Sequence, residues 1–248
     1  MGRPTVSSLP LRFENGHVFM QLGSGLWLVD TGAPTSFGKA KHVVIQGEHF
    51  AFDDSYHGLG IEGLVKHVGV ECVGLLGADV LINFDILFDV RKGVAMITKD
   101  EMEFDGMPVP LWEFMGLPLL MAEIAGTDYR AFFFDTGAQI SYFQDPVIAT
   151  FPSAGRVMDF FPDSDDFEVE THHVTMSLGG VPVTLRCGTL PESLADALTM
   201  AKAQGIIGNQ ILLDRRVGFF PRQRALVLEV PKPGAPGSAV GAPAGAAR

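Results

Sequence analysis

Two aspartates with the same neighbours are the residues most able to do chemistry. Asp30-Thr31-Gly32-Ala33 ends one apolar run, Leu26-Trp27-Leu28-Val29, and Asp135-Thr136-Gly137-Ala138 ends another, Ala131-Phe132-Phe133-Phe134. A strand that delivers a carboxylate to a place poor in water penalises its charge. Two such carboxyls brought together escape the penalty by sharing one proton. The pair then offers one acceptor and one donor, the equipment for general acid–base hydrolysis of a carbonyl. Glycine after each Asp-Thr permits a tight turn or a close backbone approach.

The elements that must position these residues also come twice. DTGAPTSF at 30–37 matches DTGAQISY at 135–142, and GLLGADVL at 74–81 matches GIIGNQIL at 205–212. The blocks keep their order, so the chain reads as two homologous halves. The second half has the longer spacing, which places an insertion at Thr189–Gln204. Thr189 with Glu192 resembles a capping box, and Leu190, Leu194 and Leu198 follow, so a packing helix is expected there.

Strands are expected at His17–Leu22, Leu26–Val29, Val43–Gln46 and Val65–Val73, and again at Leu119–Ile124, Tyr129–Phe134, Val169–Leu178 and Val181–Arg186. EFDGMPVP at 103–110 carries Asp-Gly and two prolines. The expected units are therefore 1–105, 106–230 and a Pro/Gly/Ala-rich disordered tail at 231–248.

Composition excludes several classes. Eighteen Lys and Arg against 29 Asp and Glu give a formal charge of −11, the wrong sign for a phosphate backbone. No apolar run approaches the ~18 residues of a spanning helix, and Met1–Pro10 lacks the apolar core of a secretory signal. Cys72 and Cys187 are too few for a disulfide scaffold and read as free buried thiols. His172 and His173 adjoin on a strand and point to opposite faces, so they do not chelate together. The expectation is a cytoplasmic protein with no nucleic-acid or membrane partner, no metal and no cofactor.

The doubled pattern, hydrophobic-hydrophobic-Asp-Thr-Gly-Ala followed by Leu75-Leu76-Gly77 or Ile206-Ile207-Gly208, resembles that of retropepsin- and pepsin-like aspartic proteases over about residues 10–230. The resemblance implies an all-β fold of two retropepsin-like barrel lobes related by a pseudo-twofold axis, with the active-site cleft between them. It implies an aspartic endopeptidase that acts on peptide or protein substrates and prefers hydrophobic residues beside the cut bond. Asp30 and Asp135 would be the catalytic dyad. Thr31 and Thr136 would bond across to the opposite loop, and Gly32, Ala33, Gly137, Ala138, Gly77 and Gly208 would support the loops. Tyr56, Gly58, Leu59 and Gly60 fall where a substrate-binding flap is expected, and the acidic 160–166 stretch of the second half lacks such glycines. With both carboxylates on one chain, a monomer is expected. The same cleft would also serve a catalytically silent peptide-binding module.

Overall fold

The computed structural model describes residues 5–124, 127–160, 167–192 and 195–230. The expected tail at 231–248 and the 161–166 stretch lie outside the described residues. The chain is mostly β, with a large sheet and a closed barrel.

One pairing scheme occurs twice. Strand Ser7–Glu14 divides its length between two partners, pairing Ser7–Pro10 with Val94–Thr98 and Leu11–Glu14 with His17–Leu22. Strand Met107–Phe114 does the same, with Ala225–Leu228 and then Leu117–Ile124. Strands Asp85–Asp89 and Val217–Phe220 then pair with each other, antiparallel, through Ile86↔Phe219, Leu87↔Gly218 and Phe88↔Val217. That seam makes the two halves of the chain one sheet.

Each half also contains a parallel pair. Gly25–Val29 lies beside Gly74–Leu76, and Thr127–Phe134 lies beside Gly205–Ile207. Parallel neighbours need a long crossover, which explains the spacing between the matching sequence blocks. Gly25–Val29 is buried at every position, as expected for a strand covered on both faces. In the second half the pairings close on themselves. Leu117–Ile124 joins Thr127–Phe134, then Gly205–Ile207, Ser141–Phe143, Val181–Gly188 and Phe167–Leu178, which returns to Leu117–Ile124. Closure removes free strand edges.

The core is aromatic. Phe84, Phe88, Phe132, Phe134, Phe143 and Phe219 are fully buried in one cluster that draws on both halves. Each contributes about 1.5–3 kcal/mol by leaving water.

Two expected elements differ. Of the expected strand Val65–Val73, residues 69–73 form no strand, and the first four residues belong to the helix Ile61–Val68, which Gly69 at φ 68 ends. Its buried residues, Ile61, Leu64 and Val68, follow the 3.6-residue period rather than strict alternation. The helix expected from Thr189 begins only at Asp196 and runs to Ala201, with no side-chain cap. Thr189 instead points its hydroxyl at the Phe143 carbonyl, and Leu190 N–H donates to Gln144 Oε1. Leu190 and Leu198 are buried all the same.

Candidate functional site

The two parallel pairs position the aspartates. Asp30 follows Val29 and donates its N–H to the Leu76 carbonyl at 2.9 Å, and Asp135 follows Phe134 and donates to Ile207 at 2.9 Å. Beyond each strand end the chain folds back on the carboxylate. Gly32 and Ala33 N–H groups reach Asp30 Oδ1 at 3.0 and 2.9 Å, and Gly137 and Ala138 reach Asp135 Oδ1 at 2.8 and 3.1 Å.

The threonines lock the loops to each other. Thr31 Oγ1 donates to the Phe134 carbonyl (2.7 Å) and accepts from Thr136 N–H (3.0 Å). Thr136 Oγ1 donates to Val29 (2.8 Å) and accepts from Thr31 N–H (3.1 Å). Both threonines are fully buried, where such bonds are costly to lose.

The carboxyls meet in the space two glycines leave open. A Cβ on Gly32 would stand 2.2 Å from the Asp135 carboxyl carbon, and one on Gly137 would stand 2.3 Å from that of Asp30. Both aspartates are half-buried by exposed area, yet densely surrounded by protein atoms. Burial pushes the Asp30 carboxyl well above the ordinary carboxylate range, and the neighbouring Asp135 adds to the rise. Burial raises Asp135 as well, while its hydrogen bond with Asp30 holds it down. The pair therefore keeps a proton where free carboxyls would have lost it.

This sets a pH dependence. A carboxyl whose folded pKa lies above its unfolded value is protonated more readily in the folded chain. Its contribution is most favourable below the unfolded pKa and is lost as pH rises through the folded one. Asp30→Asn should remove that loss. The variant is expected to be more stable than wild type at neutral pH by about 0.5–2 kcal/mol, with the advantage vanishing near pH 3. Thermal unfolding across that range checks it.

The remaining expected loop residues sit against the same frame. Gly77 lies 2.7 Å, measured from an added Cβ, from the Ala33 carbonyl, and Gly208 lies 2.4 Å from that of Ile140. Ala78 N–H donates to Ala33 at 2.7 Å, and Asn209 N–H donates to Ala138 at 2.9 Å. Residues 55–60 form a short hairpin with Tyr56 opposite Leu59 and a tip at His57 (φ 48) and Gly58 (φ 79). Gly60 precedes the helix Ile61–Val68. Tyr56, Leu59 and Ala33 pack on one apolar cluster, so this hairpin adjoins the Asp30 loop.

Sequence reasoning missed several residues. Ser36 and Ser141 accept the N–H groups of Gly77 and Gly208 at 2.8 and 3.0 Å. Both serines stand six positions after an aspartate, a shared feature of the two repeats that was legible. Asp79 Oδ1 takes Ser36 Oγ at 2.6 Å. Asn209 Nδ2 donates to Gly16 at 2.8 Å and to Thr136 at 3.2 Å, tying the Asn15–Gly16 turn to the Asp135 loop. His17 is buried beside the Gly137 backbone, and burial depresses its pKa. Burial also raises the thiol of Cys72 to about 11 and that of Cys187 to about 12. Among the described residues no group of three or more His, Cys, Asp or Glu stands together to hold a metal, and no helix is long and apolar enough to cross a membrane.

Comparison with known proteins identifies the fold. No protein-family model matches the sequence, and no curated protein matches it. Among solved structures, the basic 7S globulin from soybean is similar at 11% identity and a TM-score of 0.54, over 91% of this chain and 95% of that one. Conglutin gamma, a basic 7S globulin from lupine seeds, is similar at 9% identity and a TM-score of 0.54, over 92% and 95%.

These findings correct the expectation drawn from the aspartate motifs. The two solved structures named above are basic 7S globulins, and neither is named as a retropepsin- or pepsin-like protease. The endopeptidase activity, the peptidase class and the preference around a cut bond fall with that assignment. A fold hosts unrelated functions, and at this identity the likeness concerns the fold alone. The pair of carboxyls remains; these comparisons lend no support to the turnover read into it.

Proposed function

We propose that the chain is a peptide-binding module that holds an extended segment over Asp30 and Asp135 and releases it uncut. On this reading the two halves form lobes related by an approximate twofold axis, and the cleft between them is complete within one chain. The observation that carries it is the locked carboxyl pair. Two half-exposed carboxyls sharing one proton present a donor beside an acceptor, the complement of one peptide group. The threonine bonds fix that pair before a ligand arrives, which lowers the ordering cost of binding. Backbone pairing along the cleft would supply further affinity by strand addition. The names of the similar globulins are compatible with a fold used without turnover.

A library of immobilised decapeptides tests the proposal. Wild type should retain a reproducible subset, and Asp30→Ala/Asp135→Ala, with thermal unfolding confirming its fold, should retain none of it. Equal retention by both proteins would refute the role of the pair.

A further inference from the structure

The seam between the halves has a second face. Ile86, Phe88 and Phe219 belong to the cluster that also holds Val29 and Phe134, the residues leading into the two aspartates. Leu87 stands between Ile86 and Phe88 on its strand and therefore faces the other way. There it joins Met102, Phe220 and Val227 in a separate cluster.

Segment 99–106 crosses this outer face and is pinned to it at two points. Asp85 Oδ2 accepts the Met102 N–H at 2.9 Å and Gln223 Nε2, which also donates to the Met102 carbonyl at 3.0 Å. Gly106 lies against the neighbouring strand, where an added Cβ would stand 2.5 Å from the Leu228 carbonyl oxygen. Segment and sheet together line a cavity of about 670 Å³, within the range of small-molecule sites.

The lining divides by chemistry. Leu87, Met96, Met102 and Phe104 supply apolar surface. Glu101, Glu103 and Asp105 are exposed residues of the same lining. Among the described residues none of these three is ion-paired. Arg216, also in the lining, is already matched: its Nε and Nη2 reach Glu229 Oε1 at 3.0 and 2.9 Å, and its guanidinium lies 5.0 Å over the Phe104 ring. Three carboxylates thus set the sign of the cavity, and the sulfurs and side-chain carbons around them set its hydrophobicity.

We propose that this cavity is a second binding site, for a small organic ammonium ion carrying an apolar body. The body gains by covering Leu87, Met96 and Met102, and the ammonium gains from the field of the three carboxylates. An inorganic cation leaves the apolar surface wet, and an anion meets like charge. The cavity takes Leu87 and Met96 from the first half and Arg216 from the second, so an occupant ties the halves together across the seam. The site lies on the face turned away from the cluster under the aspartates, and it does not depend on the peptide-binding reading.

Calorimetry and thermal unfolding with phenylbutylamine test it, beside phenylbutanol and phenylbutyrate, which keep the body and change the charge. Wild type should bind the amine with a Kd of about 0.1–1 mM. At tenfold that concentration its Tm should rise by about 3–6 °C. The alcohol should bind about 3- to 10-fold more weakly, and the butyrate should not bind. Glu103→Gln/Asp105→Asn removes two exposed charges and should weaken the amine by about 3- to 10-fold. Met96→Arg, at a position 39% exposed, sets a cation among the apolar side chains and should abolish binding, with its own unfolding curve confirming the fold. Asp30→Ala/Asp135→Ala should bind the amine as wild type does. No amine binding by wild type, equal binding of the butyrate, undiminished binding by both cavity variants, or loss of binding with the aspartate pair overturns the proposal.

Discussion

Thr31→Val is expected to destabilise the folded chain by about 2–5 kcal/mol, although it preserves shape and volume. The hydroxyl gives one bond to the Phe134 carbonyl and receives another from Thr136 N–H. Valine leaves both backbone groups without that partner in a fully buried position, and an unsatisfied buried polar group costs about 1–3 kcal/mol. Thr31→Ser keeps the hydroxyl and should recover most of the loss. Urea unfolding of the three proteins decides between this account and one in which Thr31 only ends a strand, where all three would unfold alike.

Gly137→Ala is expected to destabilise by about 1–3 kcal/mol, the range for overpacking a close-packed interior, and to abolish peptide retention. The new methyl would stand 2.3 Å from the Asp30 carboxyl carbon and 2.4 Å from its Oδ2. That carboxylate cannot step aside freely, because Gly32 and Ala33 N–H groups fix its Oδ1. Gly32→Ala meets the same obstacle at Asp135. Gly60→Ala is the contrast: its nearest neighbour would be 3.8 Å away, and the change should cost less than about 1 kcal/mol. Denaturation midpoints and library retention report the two effects separately.

Much of this site was legible because the sequence contains it twice. The aspartates, the threonines, Gly32, Gly137, Gly77 and Gly208 sit at matching places in two copies, so one copy checks the other. Ser36 and Ser141 were equally legible but lie inside the motif, where a serine reads as a turn residue. Local pattern did less well wherever tertiary packing decided. Val65–Val73 is rich in β-branched residues and reads as a strand, yet Ile61, Leu64 and Val68 need one apolar face and take a helix. Thr189 and Glu192 have capping spacing, but Thr189 turns to the Phe143 carbonyl and Leu190 docks on Gln144.

Long-range partners were invisible for a different reason. Nothing within reach of Asp159 in sequence announces Tyr142, whose hydroxyl it accepts, and nothing near His67 announces Phe160, on which it stacks, because both contacts exist only after the strands have paired. Function was hardest of all. The motif specifies a buried carboxyl pair, but a pair that binds and a pair that turns over use the same residues.

The most direct test of binding without turnover is mass spectrometry of the retained decapeptides after long incubation with wild type, between pH 4 and 7. The proposed function predicts that each peptide is recovered at its full mass, and that retention is lost when both aspartates are replaced. Recovery of paired fragments that sum to a peptide plus one water, absent with Asp30→Ala/Asp135→Ala, would contradict it.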